Sequence, residues 1–148
     1  MKVSPLFSET AAQDDGNLEV EFTHEDLTVA TADTGQTLSP FTVKAGETIQ
    51  LIRSELRVPF EDTTDAASLT TTITVGDAGS AARLLASQEL NVNGTEVLTK
   101  AGTGTIYAPT SDTVVTITVG APTSGKNIAA YNKGKCRLVF RHTRPREL

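Results

Sequence analysis

The side chains that most often carry catalysis or hold metals are scarce in this chain. The 148 residues include one cysteine, Cys136, and two histidines, His24 and His142. A structural zinc site takes four ligands, mostly cysteine and histidine, so these three residues cannot build one unaided. His24 precedes Glu25 and Asp26, which resembles a metal-binding corner, but adjacent residues of a strand point to opposite faces. We interpret the triplet as a solvated charge cluster, and we predict no metal site and no cofactor.

Three aspartates in predicted loops are the alternative for a bound ion. Asp62, Asp65 and Asp77 carry the oxygen ligands that calcium prefers, but the spacing of an EF-hand is absent. Glycine-rich stretches at 76–79 and 102–104 lack the lysine of a phosphate-binding loop and are predicted to be turns. A Ser–His–Asp triad stays open because its members need not be neighbours in sequence, although no G-x-S-x-G motif is present. We predict that the protein is not an enzyme, and a hydrolase of unknown type is the least favoured alternative.

The formal net charge is −5 and the sequence pI is about 5.0, which argues against a general binder of nucleic acid or anionic membranes. The charges are segregated along the chain. No Lys or Arg occurs between Lys2 and Lys44, whereas six basic residues fall within the last sixteen. A single cysteine excludes an internal disulfide, and no apolar run has the length of a membrane span or signal peptide. We expect the chain to be made and folded in the cytoplasm.

The residues discussed so far are expected to lie on β-strands or in the loops between them. Threonine favours strands, and 24 of the 148 residues are threonine. The segment 69–76 reads LTTTITVG and the segment 113–120 reads TVVTITVG. Alternation places Ile73 and Val75 on one face of a strand, and Ile117 and Val119 on one face of another. Each run stops at a glycine, which we interpret as the start of a turn. These segments are predicted to be two half-buried strands of one antiparallel sandwich.

The remaining patterns complete an all-β fold. Residues 48–60 change the parity of their apolar positions partway, which is typical of a β-bulge. Ser80 is predicted to cap a short helix whose apolar residues are Leu84 and Leu85. Turn signals divide the chain into about eight strands. The pattern predicts an antiparallel β-sandwich, jelly-roll-like, with about eight strands and one short helix.

The two ends of the chain are predicted to differ from the sandwich, which spans 18–142. Residues 1–17 lack periodicity and are predicted to form a flexible arm, and residues 143–148 a basic tail. The first strand places Glu19 and Glu21 outward, and the last strand places Arg137 and Arg141 outward. We predict that these strands lie side by side, within one subunit or between neighbouring ones.

The last strand alternates Cys136, Leu138 and Phe140 inward with Arg137, Val139 and Arg141 outward. Cys136 is therefore predicted to be a small core residue and not a nucleophile. The two ends also supply the predicted partner interface, which comprises Val3, Leu6, Phe7, Asp14, Asp15, Glu19, Glu21, Arg137, Arg141, Arg144 and Arg146.

Three stretches, in this order, resemble segments of small structural proteins of tailed-phage virions. Residues 42–49 (TVKAGETI) lead into a strand, residues 72–85 (TITVGDAGSAARLL) follow, and residues 119–125 (VGAPTSG) precede the final strand. The likeness covers residues 41–140. The sequence departs from that pattern where Leu84 and Leu85 replace the usual aromatic residue, and in its unusually basic last strand.

The resemblance implies an assembly role and no catalytic residues. It implies a β-sandwich capsid decoration, or cement, protein on the exterior of the virion. The implied partners are the major capsid protein, whose shell it would bind and stabilise, and further copies of itself as a trimer, with no nucleic acid or membrane. The alternative is a receptor- or glycan-binding head-fibre or tail domain, whose binding face would comprise Tyr107, Tyr131 and the 91–104 loop.

Overall fold

Two antiparallel sheets pack face to face in the computed structural model, which describes residues 1–5, 15–65, 71–91, 98–123 and 125–144. Strands in the order β1-β2-β9-β4-β7 form a five-stranded sheet, and strands in the order β3-β8-β5-β6 form a four-stranded sheet. The predicted antiparallel β-sandwich is confirmed. The strands are β1 (Lys2–Pro5), β2 (Asp15–Thr23), β3 (Gln36–Val43), β4 (Thr48–Glu61), β5 (Thr72–Asp77), β6 (Ser80–Glu89), β7 (Leu98–Ala101), β8 (Thr113–Val119) and β9 (Lys133–Thr143).

The two copies of the repeated ITVG sequence lie directly against each other. They belong to β5 and β8, which pair antiparallel with Val75 opposite Ile117 and Thr74 opposite Thr118. Val75 and Ile117 are fully buried between the sheets, and the two threonines share the outer face. The repeat therefore supplies two neighbouring core strands, as the alternation predicted.

Aromatic rings and β-branched side chains fill the space between the sheets. The ring centroids of Phe22 and Phe60 are 5.6 Å apart, and Phe41 meets Phe140 edge-to-face at 5.2 Å. Fully burying one large apolar side chain contributes about 1.5–3 kcal/mol, so this core is the main source of stability. The largest fully buried side chains are Phe22, Phe60, Phe140, Ile49, Leu51, Ile73, Leu84, Leu85, Leu90, Ile117, Ile128 and Leu138.

The long strand β4 is bulged, as its change of parity predicted. Its register against β9 shifts between Leu51 and Arg53 and again between Leu56 and Val58. Each extra residue turns the following side chains over, which is how one strand keeps its apolar residues inside along its whole length. A tight turn precedes β4, in which Gly46 has a φ of 88°.

The predicted short helix is wrong, because Ser80–Glu89 forms strand β6. In the described ranges the helical segments are three-residue 3₁₀ turns, at His24–Asp26 and Ile128–Ala130. Asp77 Oδ1 accepts the N–H groups of Gly79 and Ser80, at 2.7 and 3.1 Å, and this turn returns the chain along β5. The β5–β6 register then shifts, so the adjacent residues Leu84 and Leu85 are both buried. Pairing in the hairpin outweighed the local preference for a helix.

The predicted flexible arm is also wrong in part. Lys2–Pro5 forms the edge strand β1, which pairs with β2, and β2 begins at Asp15. Pairing with β1 gives hydrogen-bond partners to backbone N–H and C=O groups of β2. This gain outweighs the lack of a strand-like sequence pattern in residues 2–5. The predicted arm residues 6–14 and tail residues 145–148 lie outside the described residues.

Buried polar groups tie the elements together at fixed register. The Ser54 hydroxyl of β4 bonds to Gln88 of β6, which links the two sheets through the core. At one end of the sandwich, Asn91 donates to the Phe60 carbonyl at 2.5 Å and accepts the Thr71 N–H. Leaving such a buried group unsatisfied would cost about 1–3 kcal/mol, so a shifted register is disfavoured.

Candidate interaction faces

A row of alternating charge crosses the outer face of the five-stranded sheet. The backbone register aligns Lys2 with Glu21, Glu21 with Arg137, Arg137 with Glu55, and Glu55 with Thr99. Paired residues of neighbouring strands share a face, so four side chains of alternating sign lie side by side from β1 to β4. The prediction that the first and last sandwich strands are neighbours is confirmed, within one subunit.

The outer face of the five-stranded sheet is the charged face of the protein. Its ion pairs join residues that are diagonal neighbours as well as residues directly opposite each other. Arg137 Nε contacts the Glu19 carboxylate, and Lys135 Nζ lies 3.8 Å from Glu21 Oε1. Arg137 Nη1 also lies 3.8 Å from Glu55 Oε2. One arginine of β9 therefore interacts with carboxylates on both neighbouring strands.

Glu55 is the acidic centre of the face. It accepts hydrogen bonds from Arg53 Nε and Arg57 Nη2, each at 2.7 Å. The hydrogen bond from Arg53 is the largest influence and lowers the pKa of Glu55, burial opposes it, and Arg57 lowers it further. Because these charges neutralise one another within the subunit, the face resembles a solvated surface more than the charge-poor centre of an interface.

The structure brings four of the residues predicted to form a partner interface onto one face. Arg141 shares the parity of Arg137 along β9, so it lies on the same outer face as Glu19 and Glu21. Val3 pairs with buried Val20 at the edge of the sheet and is 37% exposed. Asp15 stands opposite Thr143, and Arg141 is exposed, opposite Asn17 and Gln50 in register. Glu19, Glu21 and Arg137 belong to the charged face, whereas Leu6, Phe7, Asp14 and Arg146 lie outside the described residues.

Val139 departs from its predicted exposure. Its register places it on the outer face, between Glu19 of β2 and Arg53 of β4, as the alternation predicted. It is nevertheless only 1% exposed. The long stems of charged side chains cover apolar neighbours while their ends stay in water, which explains burial on an outer face.

Arg144 and His142 converge on one carboxylate at the end of β9. His142 Nε2 donates to Glu47 Oε2 at 2.8 Å, the Lys44 N–H donates to the same oxygen at 3.0 Å, and Arg144 Nε lies 3.9 Å from Glu47 Oε1. Burial acts to raise the pKa of Glu47, but the hydrogen bonds from Lys44 and His142 and the charge of Arg144 outweigh it. The pKa of Glu47 therefore lies below its ordinary value of 4.5.

The outer face of the four-stranded sheet has the opposite character. Thr37, Thr118 and Thr74 form a row across β3, β8 and β5, and Val114 stands opposite Thr42. Strands β3 and β8 contain no charged residue. The charged residues of β5 and β6 are Asp77, Arg83 and Glu89, at or near the ends of the sheet.

Sequence reasoning did not single out this threonine face, which we define by Thr37, Thr42, Thr72, Thr74, Val114, Thr116 and Thr118. The signal was present, since T-x-T occurs in both copies of the repeat. It could not be interpreted from the sequence because the neighbouring position of β5 and β8 depends on long-range pairing. Only that pairing merges separate threonines into one surface.

An open groove of about 410 Å³ adjoins one end of the threonine face. The Arg83 guanidinium stacks over the Tyr107 ring at 4.2 Å and donates from Nε to Asp77 Oδ2 at 2.5 Å. The bond from Arg83 lowers the pKa of Asp77, burial opposes it, and the N–H groups of Gly79 and Ser80 lower it further. Asp77 and Arg83 of the groove are thus engaged with each other, and Asp112 accepts the Ala45 N–H at 3.1 Å.

The aromatic residues of the alternative binding face are not available as a pair. Tyr131 is 3% exposed, and its hydroxyl lies 2.5 Å from the Thr71 hydroxyl inside the protein. Tyr107 is covered by Arg83. The prediction of a loop face that combines both tyrosines is therefore wrong, because Tyr131 packs against Phe60 in the core.

The candidate metal ligands are engaged separately. Asp62 accepts from the Thr64 N–H at 2.9 Å, Asp65 pairs with Lys126, and Asp77 pairs with Arg83. Across the described residues, no group of three or more His, Cys, Asp or Glu side chains is placed to hold a metal ion.

Cys136 is a core residue, as predicted. Its thiol is buried and lies 3.6 Å from the Ser54 hydroxyl. Burial raises the pKa of the Cys136 thiol to about 12, so the nucleophilic thiolate is not populated near neutral pH.

Within the ranges that the structure describes, no helix has the length and apolar character needed to cross a membrane.

No protein-family model matches the sequence, and no curated protein matches it. Two solved structures contain chains of similar fold. A chain of the cyanophage Pam1 capsid asymmetric unit has a TM-score of 0.59 at 20% identity, with 93% of this chain and 90% of that chain covered. A chain of the acid-stable capsid of Helicobacter pylori bacteriophage KHP30 has a TM-score of 0.53 at 16% identity, with 97% and 94% covered. At such identities the likeness shows a shared fold over nearly the whole of both chains.

Proposed function

We propose that this chain is a structural protein of a phage virion, a decoration or cement protein that binds the outer surface of the major capsid protein shell and stabilises it. The observation that carries the proposal is the likeness to chains from two phage capsids, which covers at least 90% of each chain compared. The three sequence stretches that resemble small virion proteins support the same role. The proposed role is non-enzymatic.

The chemistry of the described residues suits a passive, stable component. The single thiol is buried, His142 is occupied by Glu47, and Asp77 binds Arg83 in the groove beside the threonine face. A sandwich of this kind can bind across the boundaries between shell subunits without a conformational change. Each contact that buries apolar area contributes about 25 cal/mol per Å², less the entropy of any segment it orders.

Two further parts of the proposal rest on the sequence. Leu6 and Phe7 are candidate anchors of the N-terminal segment on the shell, since they are its largest apolar residues. We also propose a trimer, which would match three copies to a local threefold axis of a shell. Sedimentation of the purified chain and of its complex with shells measures this state directly.

The decisive experiment compares virions of the encoding phage with and without this gene. Mass spectrometry of purified wild-type virions should find the chain at a copy number comparable with that of the major capsid protein. Virions without it should release DNA at a lower temperature, and added protein should restore their resistance. Absence from virions, or equal resistance to heat and chelators without the protein, would refute the proposal.

The glycan-binding alternative gains no support from a specific contact. Its two aromatic residues are buried or covered. We expect no binding on a glycan array and no effect of the purified chain on phage adsorption.

A further inference from the structure

The two outer faces of the sandwich differ in how many charges they carry and in how those charges are used. On the five-stranded sheet, charged side chains occupy the middle of the face and pair with one another across β2, β9 and β4. On the four-stranded sheet, the central row is Thr37, Thr118 and Thr74. The centre of a protein–protein interface is depleted in charge, and the four-stranded sheet alone has such a centre.

The threonine face offers groups that can pair without a matching charge. Each threonine carries a methyl group for van der Waals contact and a hydroxyl that both donates and accepts hydrogen bonds. Val114 adds an apolar group that is 44% exposed. The protein carries a net charge of −5, so a face without charge at its centre is where another protein surface can approach with the least repulsion.

The size of the face determines the kind of partner. Three strands about 4.8 Å apart, with about seven residues rising about 3.3 Å each, give a surface of roughly 330 Å². A stable complex buries about 800 Å² on each partner. Two free copies would therefore gain too little from this face alone. A larger surface that presents many copies of one site is a more suitable partner. If the chain also binds that surface through a second contact, so small a patch is enough, because two linked contacts bind more tightly than either one alone.

We propose that the threonine face is the docking surface of the chain and that it lies against the outer surface of the capsid shell, on an uncharged patch rich in hydroxyl, amide and methyl groups. This inference rests on the proposed function. Docking by this face leaves the charged face outward, where its paired charges are hydrated and keep the particle soluble. The assignment replaces Glu19, Glu21 and Arg137 as the centre of the interface, because those residues neutralise one another.

The test places the same charged side chain on each face in turn. In Thr74→Arg/Thr118→Arg, two arginines stand in the middle of the threonine face. Thr99→Arg is the matched control, since Thr99 is exposed on β7 of the charged face, opposite Glu55. Each variant is mixed with shells that lack the protein, and binding is measured by co-sedimentation at two salt concentrations.

We expect the wild-type chain and Thr99→Arg to bind alike, and the double variant to lose binding at least tenfold at both salt concentrations. Circular dichroism melting checks that each variant folds. Thr118→Val serves as a second variant that keeps the shape and β-propensity and replaces the hydroxyl with a methyl group, and it should weaken binding to a smaller degree. Equal binding by the folded double variant, or an equal loss with Thr99→Arg, would overturn the inference.

Two outcomes separate this inference from the function on which it rests. If wild-type protein does not bind the shells at all, the proposed function is wrong. If it binds and the double variant binds equally well, only the docking face is wrong. The remaining possibility is that the face binds a second copy of the chain. Sedimentation of the free chain tests it, because a dimer of the wild-type chain that is lost in the double variant would show such binding.

Discussion

Single residues at the end of β9 connect the chemistry of the chain to its stability. Glu47 is held by the Lys44 N–H and by His142, and its pKa lies below 4.5. A carboxyl whose pKa is lower in the folded state stabilises the fold above its unfolded pKa. That contribution disappears as the pH falls through the folded pKa, because the unfolded state then binds more protons.

Glu47→Gln should therefore destabilise the protein at pH 7 by about 1.5–3 kcal/mol, the usual value of hydrogen bonds to a charged group. Below pH 4.5 the difference from wild type should shrink as Glu47 itself becomes protonated. Urea unfolding at a series of pH values measures both effects. A difference that stays constant from pH 7 to pH 3 would contradict the assignment.

Cys136 gives a second prediction at the scale of one residue. Its buried thiol has a pKa of about 12, so a thiol reagent should label native protein only as fast as the core opens. Denaturant should accelerate labelling in proportion to the unfolded fraction. Fast labelling of the native chain at pH 7, at the rate of a free thiol, would show that Cys136 is accessible.

At the scale of elements, the repeated strands show how one sequence phrase serves two environments. Gly76 ends the phrase in β5, where an added Cβ would collide with the Ser80 carbonyl of β6. Gly120 ends it after β8, where the nearest atom to an added Cβ is 3.4 Å away, an ordinary contact. The glycine predicted to begin a turn lies inside a strand in the first copy, since β5 continues to Asp77.

The two glycines therefore provide a matched pair of substitutions. Gly76→Ala should cost about 2–3 kcal/mol, because backbone must shift to admit the methyl group. Gly120→Ala should change the free energy of unfolding by less than about 0.5 kcal/mol. Urea denaturation of both variants measures the difference, and equal costs would mean that β6 does not approach Gly76 closely.

At the scale of the whole molecule, the sandwich has two faces with different tasks. One face is held together by ion pairs across three strands, and the other has a central row of threonines without charge. Surface ion pairs of this kind contribute about 0–1 kcal/mol each, so the charged face adds solubility and register more than stability. The threonine face is the one that we propose for binding a partner.

The whole molecule should be indifferent to divalent cations. Asp62, Asp65 and Asp77 each have other partners. A bound ion would raise the melting temperature with its concentration by mass action. We expect identical thermal unfolding in calcium and in a chelator. A calcium-dependent rise that the chelator reverses would reveal a site.

The sequence by itself determined the class of fold, the bulge in β4, the buried Cys136 and the neighbouring positions of the strands that carry Glu19 and Arg137. These follow from alternation and from charge, which are properties of one strand or of two neighbours. Only the tertiary structure made Ser80–Glu89 a strand, buried Tyr131 and aligned Thr74 with Thr118. The physical reason is that register and sheet order arise from contacts between distant segments. A local pattern shows which side chains share a face, but not what that face meets.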